Sequence, residues 1–438
     1  MNDLFSFLGY GVRSTDLWMV ATAVASSVAC GLIGCFLVLR RMSLLGDAIS
    51  HAILPGLAIA FLMTNSREPL TMLAGALVVG VATALLSAGL SRWGKVPEDA
   101  AMGVVFTALF AIGVILITFV ASRFDLDPGC VLYGLIELVP FDTINIAGAD
   151  IPRAFAFLAC ILIAVTALVT LFYKELKIVS FDPYLATTMG ISATLVHYGL
   201  MTGVAATCVA SFEAVGSILV VTMLVAPGAT AHLLTDRLSR MLWISAIVAA
   251  TSAILGYILA VYFNTSTAGM ISTVALGLFI AAVFLAPRHG WLSKQTRRLA
   301  LALRITQEDV LGLLYRWQEQ LPTARNPHPP TAREVLDATH SGWMGRLSLA
   351  LLARRGLLTR TADALSPTPA GIELARSIVR GHRLWETYLT KHLAADPSRV
   401  HSPAHRAEHY LTPGIQASLD RDVATGEDPH GKPIPPQP

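Results

Sequence analysis

The chain carries 12 histidines, and its clearest chemistry lies where they are joined by carboxylates. Asp47 and His51 are four residues apart, so on a helix an acid and an imidazole project from one face, one turn apart. They follow Arg40-Arg41 at the end of one apolar run and open the next. Such groups are costly in or beside hydrocarbon and are kept where they face a bundle interior and bind or relay something; a helix cap at headgroup level is the competing use. Glu213 opens a later apolar run, either as a buried functional acid or as a carboxylate matched to a helix dipole. Further on, His382 and Glu386 repeat the four-residue spacing, and His401, His405, Glu408 and His409 fall at helical spacing on one face. Nitrogen and oxygen donors in this pattern suit a divalent transition metal, with a surface histidine stripe as the plain alternative.

The elements that must position these residues follow from composition. Of 438 residues, 54% are hydrophobic and 14% charged, against roughly a quarter charged in soluble domains. An ordinary soluble protein is excluded. The depletion is confined to residues 1–287, whereas 288–438 are rich in Arg, His, Asp, Glu and Pro, which implies a membrane domain followed by a soluble one. The net charge of +3 decides nothing globally. None of the five cysteines forms a Cys-x-x-Cys pair and four lie in apolar runs, so they read as small membrane residues. The first apolar run is long enough to span, and no cleavable signal peptide is expected.

Runs of bilayer-crossing length fall near 17–39, 50–64, 70–91, 101–121, 154–173, 193–210, 213–231, 241–262 and 268–287. That makes nine spans, or eight if a weak one fails. Alternate connections carry Arg40/Arg41, Arg92/Lys95, Lys174/Lys177 and Arg237/Arg240, and then the basic segment from Arg288 to Arg298. The positive-inside rule makes these cytoplasmic, with the amino terminus outside and the tail inside. The 122–153 connection, with Asp125, Asp127, Glu137, Asp142 and Asp150, is then an acidic outer loop. After Lys177, an Asp182-Pro183 start, an Ala-bearing stretch and Gly190 predict a brief surface helix or an ordinary loop. The chain has no Gly-x-x-x-x-Gly-Lys-Ser/Thr loop, so energy must come from a separate ATPase or an ion gradient.

Three stretches carry a resemblance. Ser43 to Gly56 (Ser-x-x-x-Asp-x-x-Ser-His-x-x-x-Pro-Gly), Phe181 to Gly190 and Glu213 to Ala231 (Glu-x-Val-Gly-x-x-Leu-Val…Pro-x-Ala-Thr-Ala, with Gly228 at a usual Ala) together resemble the ABC-3 family. Its members are the membrane subunits of bacterial manganese, zinc and iron importers. The likeness covers roughly 10–287. It implies Asp47, His51 and Glu213 on the metal path, and Phe181, Asp182, Ala186 and Gly190 in a coupling helix received by an ATPase subunit. It also implies an extracytoplasmic metal-binding protein and a homodimer or a pair with a related permease.

In the tail, Thr306 starts a helix to about Gln320, followed by a polar connector, a helix over Thr331–Ala338, a turn at Ser341-Gly342 and a helix over Met344–Arg355. Leu357–Thr368 alternates as a small wing, and Pro369–Leu389 is a long helix. A winged helix of this kind either reads DNA or serves as an interaction module. Leu-x-Arg-x-Gly-Leu-Leu, His-Arg-Leu-x-Glu-x-Tyr-Leu and Asp428 to Pro435 resemble the diphtheria-toxin-repressor family of metal-dependent regulators over roughly 300–436. By that resemblance His382, Glu386, His401, Glu408 and His409 fall on metal ligands, and His405 stands where relatives have Cys or an acid. Asp309 stands where iron-type members have Met and manganese-type members have Asp; a hard carboxylate favours manganese. Gly312 replaces a second acid of the manganese type. Arg346, Ser348, Arg354 and Arg355 are the candidate DNA contacts, in a helix poor in base-edge donors.

The expected fold is therefore an all-α polytopic membrane protein with a soluble winged-helix and helical metal-binding tail. The expected divisions are a permease domain at 1–290, a basic linker at 291–304, a winged helix at 305–370 and a metal-binding and dimerisation domain at 371–438. The expected function is the permease subunit, itself no enzyme, of an importer bringing Mn2+ or Fe2+ across the bacterial inner membrane, with the tail in the cytoplasm. Rival readings are a zinc importer of the same family, a membrane-tethered metal-dependent transcription regulator and a gradient-driven transporter.

Overall fold

The computed structural model describes residues 14–42, 45–64, 69–120, 134, 136–146, 148–323, 328–361, 364–423 and 425–437. Asp125, Asp127 and Ser43 lie outside them, as does the side chain of Glu213. The chain forms two compact units that meet between Ser293 and Lys294.

In the first unit, nine helices among the described residues are long and apolar enough to cross a membrane. They are α1 (Ser14–Leu39), α2 (Leu45–Thr64), α3 (Pro69–Gly94), α4 (Glu98–Val120), α5 (Arg153–Leu171), then, after two short helices, α8 (Ala193–Val215), α9 (Ser217–Leu234), α10 (Leu238–Phe263) and α11 (Thr267–Leu285). The short pair is α6 (Tyr173–Phe181) and α7 (Pro183–Thr188). A hairpin of β1 (Thr143–Ile146) and β2 (Ala149–Pro152) precedes α5.

Small residues let these helices approach closely, since lipid gives no hydrophobic drive between them. A methyl on Gly34 of α1 would collide with the Leu224 carbonyl of α9, and Gly56 of α2 meets Gly75 of α3 in the same way. Ser245 of α10 donates a hydrogen bond to the Gly31 carbonyl of α1 at 2.9 Å. Ile33, Phe36, Leu219 and Met223 are fully buried, while Ile163 and Ile247 are exposed on the apolar exterior that a bilayer would cover.

The second unit continues from α12 (Trp291–Gln320) through α13 (Ala332–Ala338), α14 (Gly342–Arg354), β3 (Leu358–Thr361), β4 (Ala364–Pro367), α15 (Pro369–Leu393), α16 (His401–Ala407) and α17 (Pro413–Val423). Strands β3 and β4 pair antiparallel, Leu358 opposite Pro367 and Thr361 opposite Ala364. Leu311 and Leu314 of α12 pack on Val335, Leu352, Leu365 and Ala375. Thr331 and Glu334 form a capping box that starts α13: the Thr331 hydroxyl accepts from Glu334 N at 3.3 Å, and the Glu334 carboxylate accepts from Thr331 N at 2.8 Å.

Two expected boundaries are corrected. The helix expected to start at Thr306 begins at Trp291. Residues 291–305 hold no Gly or Pro and many Leu, Ala, Lys and Arg, so nothing breaks the helix. The Thr306 hydroxyl instead donates to the Ala302 carbonyl at 2.9 Å. Glu213 does not open a span but sits in the last turn of α8, because Gly216 at φ 79° ends that helix before α9 begins. An acid there opposes the helix dipole, so the dipole gives no account of it.

Candidate metal centres

In the membrane unit, α2 carries Asp47 in its first turn and His51 one turn later. His51 Nε2 lies 3.5 Å from Asp47 Oδ1, and both side chains are nearly half exposed, at 43% and 44%. The His51 ring stacks near Phe106, with centroids 6.1 Å apart, and meets Phe110 edge-on at 5.8 Å, both from α4. The aromatic wall orients the imidazole and leaves the nitrogen–oxygen pair accessible. Among the described residues no third His, Cys, Asp or Glu joins them as a donor group. The pair alone is an incomplete coordination set.

The segment between α6 and α8 is built by local chemistry. Asp182 caps α7, its Oδ1 accepting from Tyr184 N at 3.1 Å and Leu185 N at 2.9 Å. Gly190 takes φ 81°, a conformation that a side chain would strain. Ala186 is buried, whereas Phe181, Tyr184, Leu185 and Met189 are exposed. An exposed apolar cluster of this kind costs free energy in water unless a partner or lipid covers it.

The tail gathers all seven of its sequence-predicted donors into two groups, each with its ligand atoms within 4.8 Å of one another. One is Asp309, His405, Glu408 and His409; the other is His382, Glu386 and His401. His401 therefore leaves the group expected for it on its own helix, because its Nδ1 lies 3.0 Å from Glu386 and 3.1 Å from His382 of α15. In the second group His382 Nε2, Glu386 Oε1 and His401 Nδ1 form a triangle with sides of 3.0, 3.1 and 3.0 Å. Cis donors about 2.1 Å from one octahedral ion are about 3.0 Å apart, so this triangle has the dimensions of one coordination face.

In the first group His409 Nε2 is 3.3 Å from Asp309 Oδ1, and His405 Nδ1 is 2.7 Å from Glu408 Oε1. Asp309 Oδ1 is buried with no hydrogen-bond partner among the described residues. A buried carboxylate oxygen left this way suits a cation. The donors thus fit a divalent metal in both groups. Sequence reasoning passed over Glu308, whose Oε2 lies 2.8 Å from His409 Nδ1 while Oε1 accepts from Arg304 at 2.8 Å. A carboxylate on the far nitrogen is how ligating histidines are oriented. The i,i+4 pairing of Arg304 with Glu308 was its available signal.

Charge within the groups is tightly coupled. Burial disfavours a charged His409, but the Asp309 and Glu308 carboxylates outweigh it and raise its pKa to about 9. Burial likewise opposes charge on His382, and Glu386 and Glu408 outweigh it, holding His382 above the usual imidazole range. For Glu386 burial acts upward, yet His382 and His401 bring it down to about 2. His409 thus holds a proton at neutral pH that an incoming cation would displace.

The candidate DNA face fares differently. Ser348 is fully buried with an unpartnered hydroxyl, so it does not serve as a contact. Arg355 donates to Gln307 at 3.2 Å. Arg346 and Arg354 are exposed, but beside them α14 presents Trp343 and Leu347, which together offer base edges a single indole N–H and no acceptor.

Comparison with known proteins agrees with this division. Residues 15–286 match the ABC 3 transport family, and residues 368–436 match the iron dependent repressor, metal binding and dimerisation domain. The manganese transport system membrane protein MntD of Bacillus subtilis is 45% identical over 287 residues, 65% of this chain and 97% of that protein. The zinc transport system membrane protein TroD of Treponema pallidum is 36% identical over 362 residues, 82% of this chain and 97% of that one. Among solved structures, PsaBC from Streptococcus pneumoniae in complex with Fab is 31% identical with a TM-score of 0.55, covering 67% of this chain and 99% of that one. The chain belongs to the ABC 3 transport family, as a multi-pass permease with an iron-dependent-repressor domain at its C-terminal end.

Proposed function

We propose that the chain is the permease subunit of an importer that carries Mn2+ or Fe2+ inward, driven by ATP hydrolysis on a separate subunit. The carrying observation is the accessible Asp47–His51 pair held by Phe106 and Phe110 on membrane helices, on the same chain as two donor groups in a soluble tail. A second copy or a related permease supplies further donors, since two are too few to hold an ion. Glu213 joins the path from the end of α8. Two weakly held donors per chain allow release as well as entry. The exposed face of Phe181, Tyr184 and Leu185 beside the capped α7 receives the ATPase, and an extracytoplasmic binding protein delivers the ion.

The basic connections support a cytoplasmic tail by the positive-inside rule, and there its two groups bind the transported metal and restrain uptake. Asp309 and the nitrogen and oxygen donors of both groups favour manganese or iron. The likeness to TroD over most of the chain supports zinc as the second reading. Uptake of radiolabelled manganese, iron and zinc by cells carrying the wild type or His51→Ala tests the first part. Selective uptake lost in the mutant supports it; equal uptake in both sinks it. Deleting residues 300–438 tests the second part, which requires uptake to lose its inhibition by internal metal.

A further inference from the structure

Helix α12 starts where the last membrane helix ends. Five residues separate Leu285 from Trp291, and their fold is held in place. Asp236, between α9 and α10, accepts from Arg288 at 2.6 Å and lies 2.9 Å from His289 Nε2. The Ser293 hydroxyl donates to the Ala286 carbonyl at 2.8 Å, and a methyl on Gly290 would collide with that same carbonyl. Trp291 meets Phe284 of α11 edge-on, with ring centroids 6.2 Å apart. Phe284 and Leu285 are 50% and 66% exposed, so the apolar surface of the final span runs on into the first turn of α12.

From there α12 is amphipathic and largely exposed. Trp291, Leu292 and Leu299 are exposed and, with Ala302 and Leu303, fall on one side at helical spacing. Lys294, Arg297 and Arg298 are exposed around the rest of the circumference, with Leu301 among them. In water such an apolar stripe costs free energy. Beside a bilayer it has a ready partner, and three cations along the same helix match anionic headgroups.

The geometry points to the first half of α12, Trp291 to Leu303, as a surface helix seated in the anionic headgroup layer of the inner leaflet. Trp291, Leu292 and Leu299 enter the acyl boundary, while Lys294, Arg297 and Arg298 meet lipid phosphates. The occupant is lipid, because the apolar stripe is continuous with the exposed end of a membrane span. The assignment rests on the cytoplasmic orientation of that end. It gives the segment between permease and tail a binding role of its own.

The test uses the full-length protein, with Cys130 and Cys160 replaced by Ser, in vesicles of phosphatidylcholine alone or mixed equally with phosphatidylglycerol. A nitroxide at Leu299→Cys is compared with one at Leu301→Cys for collision with oxygen, which partitions into lipid, and with a water-soluble nickel chelate. In the mixed vesicles the label at 299 should favour oxygen and the label at 301 nickel. A Lys294/Arg297/Arg298→Gln variant should lose that contrast while still binding manganese through its tail. Nickel access at both positions in both lipids would overturn the assignment, as would shielding from both reagents, which means a protein partner. An unchanged contrast in phosphatidylcholine alone would remove the anionic component and overturn it too. Labelling of Leu301→Cys by an impermeant maleimide outside intact cells would sink the orientation, whereas the vesicle failures leave the transport reading standing.

Discussion

Glu408 Oε2 lies 2.7 Å from His382 Nδ1, and this one ion pair joins the two donor groups of the tail. The other oxygen of Glu408 faces His405 at 2.7 Å, while the other nitrogen of His382 faces Glu386 at 3.0 Å. The contact lacks the angle of a hydrogen bond and leaves His382 Nδ1 otherwise without a hydrogen-bond partner. Arg316 approaches the same carboxylate at 3.5 Å. Glu408→Gln keeps the shape and removes the charge. It should weaken manganese binding at both groups, by about 10- to 100-fold where the carboxylate only orients a ligand. Calorimetry on the intact protein would reveal the coupling; loss at the Asp309 group alone would contradict it.

Asp309 is one of two hard carboxylate donors in its group, beside Glu408. Asp309→Met substitutes a soft thioether of similar reach. Competition titrations should show manganese losing affinity by more than iron does. An equal loss for both would mean that the residue sets affinity without selectivity.

Binding should depend on pH with a definite sign. In the metal-free tail His409 keeps its proton up to about pH 9. Its proton-linked stabilisation is therefore full below the ordinary imidazole value of 6.5 and is lost as pH rises through about 9. A cation needs the neutral imidazole, so its affinity should rise from pH 6 toward 9, by about tenfold per unit for each proton displaced. Titrations across that range give the slope, and a flat profile would exclude His409 as a ligand.

The contact of α1 with α9 tolerates no side chain at Gly34, which faces the Leu224 carbonyl. Gly34→Ala should cost roughly 1–3 kcal/mol by overpacking. Thermal unfolding in detergent should drop accordingly, whereas Gly103→Ala, with open space around it, should not shift.

Ser348 gives a prediction of opposite sign. Its buried hydroxyl has no partner, so Ser348→Ala removes an unmet polar group and should be neutral or stabilising by up to about 1 kcal/mol. Urea unfolding of the tail measures this. A clear destabilisation would reveal a partner that the fold hides.

Much of the architecture was legible because membrane helices announce themselves by length and apolarity. Expected spans such as 154–173 and 241–262 differ from α5 and α10 by only a few residues. Boundaries failed where local signals competed. Thr306 looked like a cap, but a helix with no breaker ran through it. Glu213 looked like a start until Gly216 adopted a positive φ. For the donors, residue types were readable but partitioning was not: His401 and His405 share a helix, yet one meets Glu386 of α15 and the other Glu408, contacts that spacing alone does not encode. Glu308 escaped notice because its role exists only across 101 residues of sequence, in its contact with His409.

The unbroken run of α12 from Trp291 to Asp309 also fixes a ratio. One covalent chain carries both units. In the proposed function the two are made in equal number whatever the rate of synthesis. A free repressor throttles supply only as old transporters are diluted by growth. A gauge on the same chain acts on the pore already in place, and its set point does not drift with copy number.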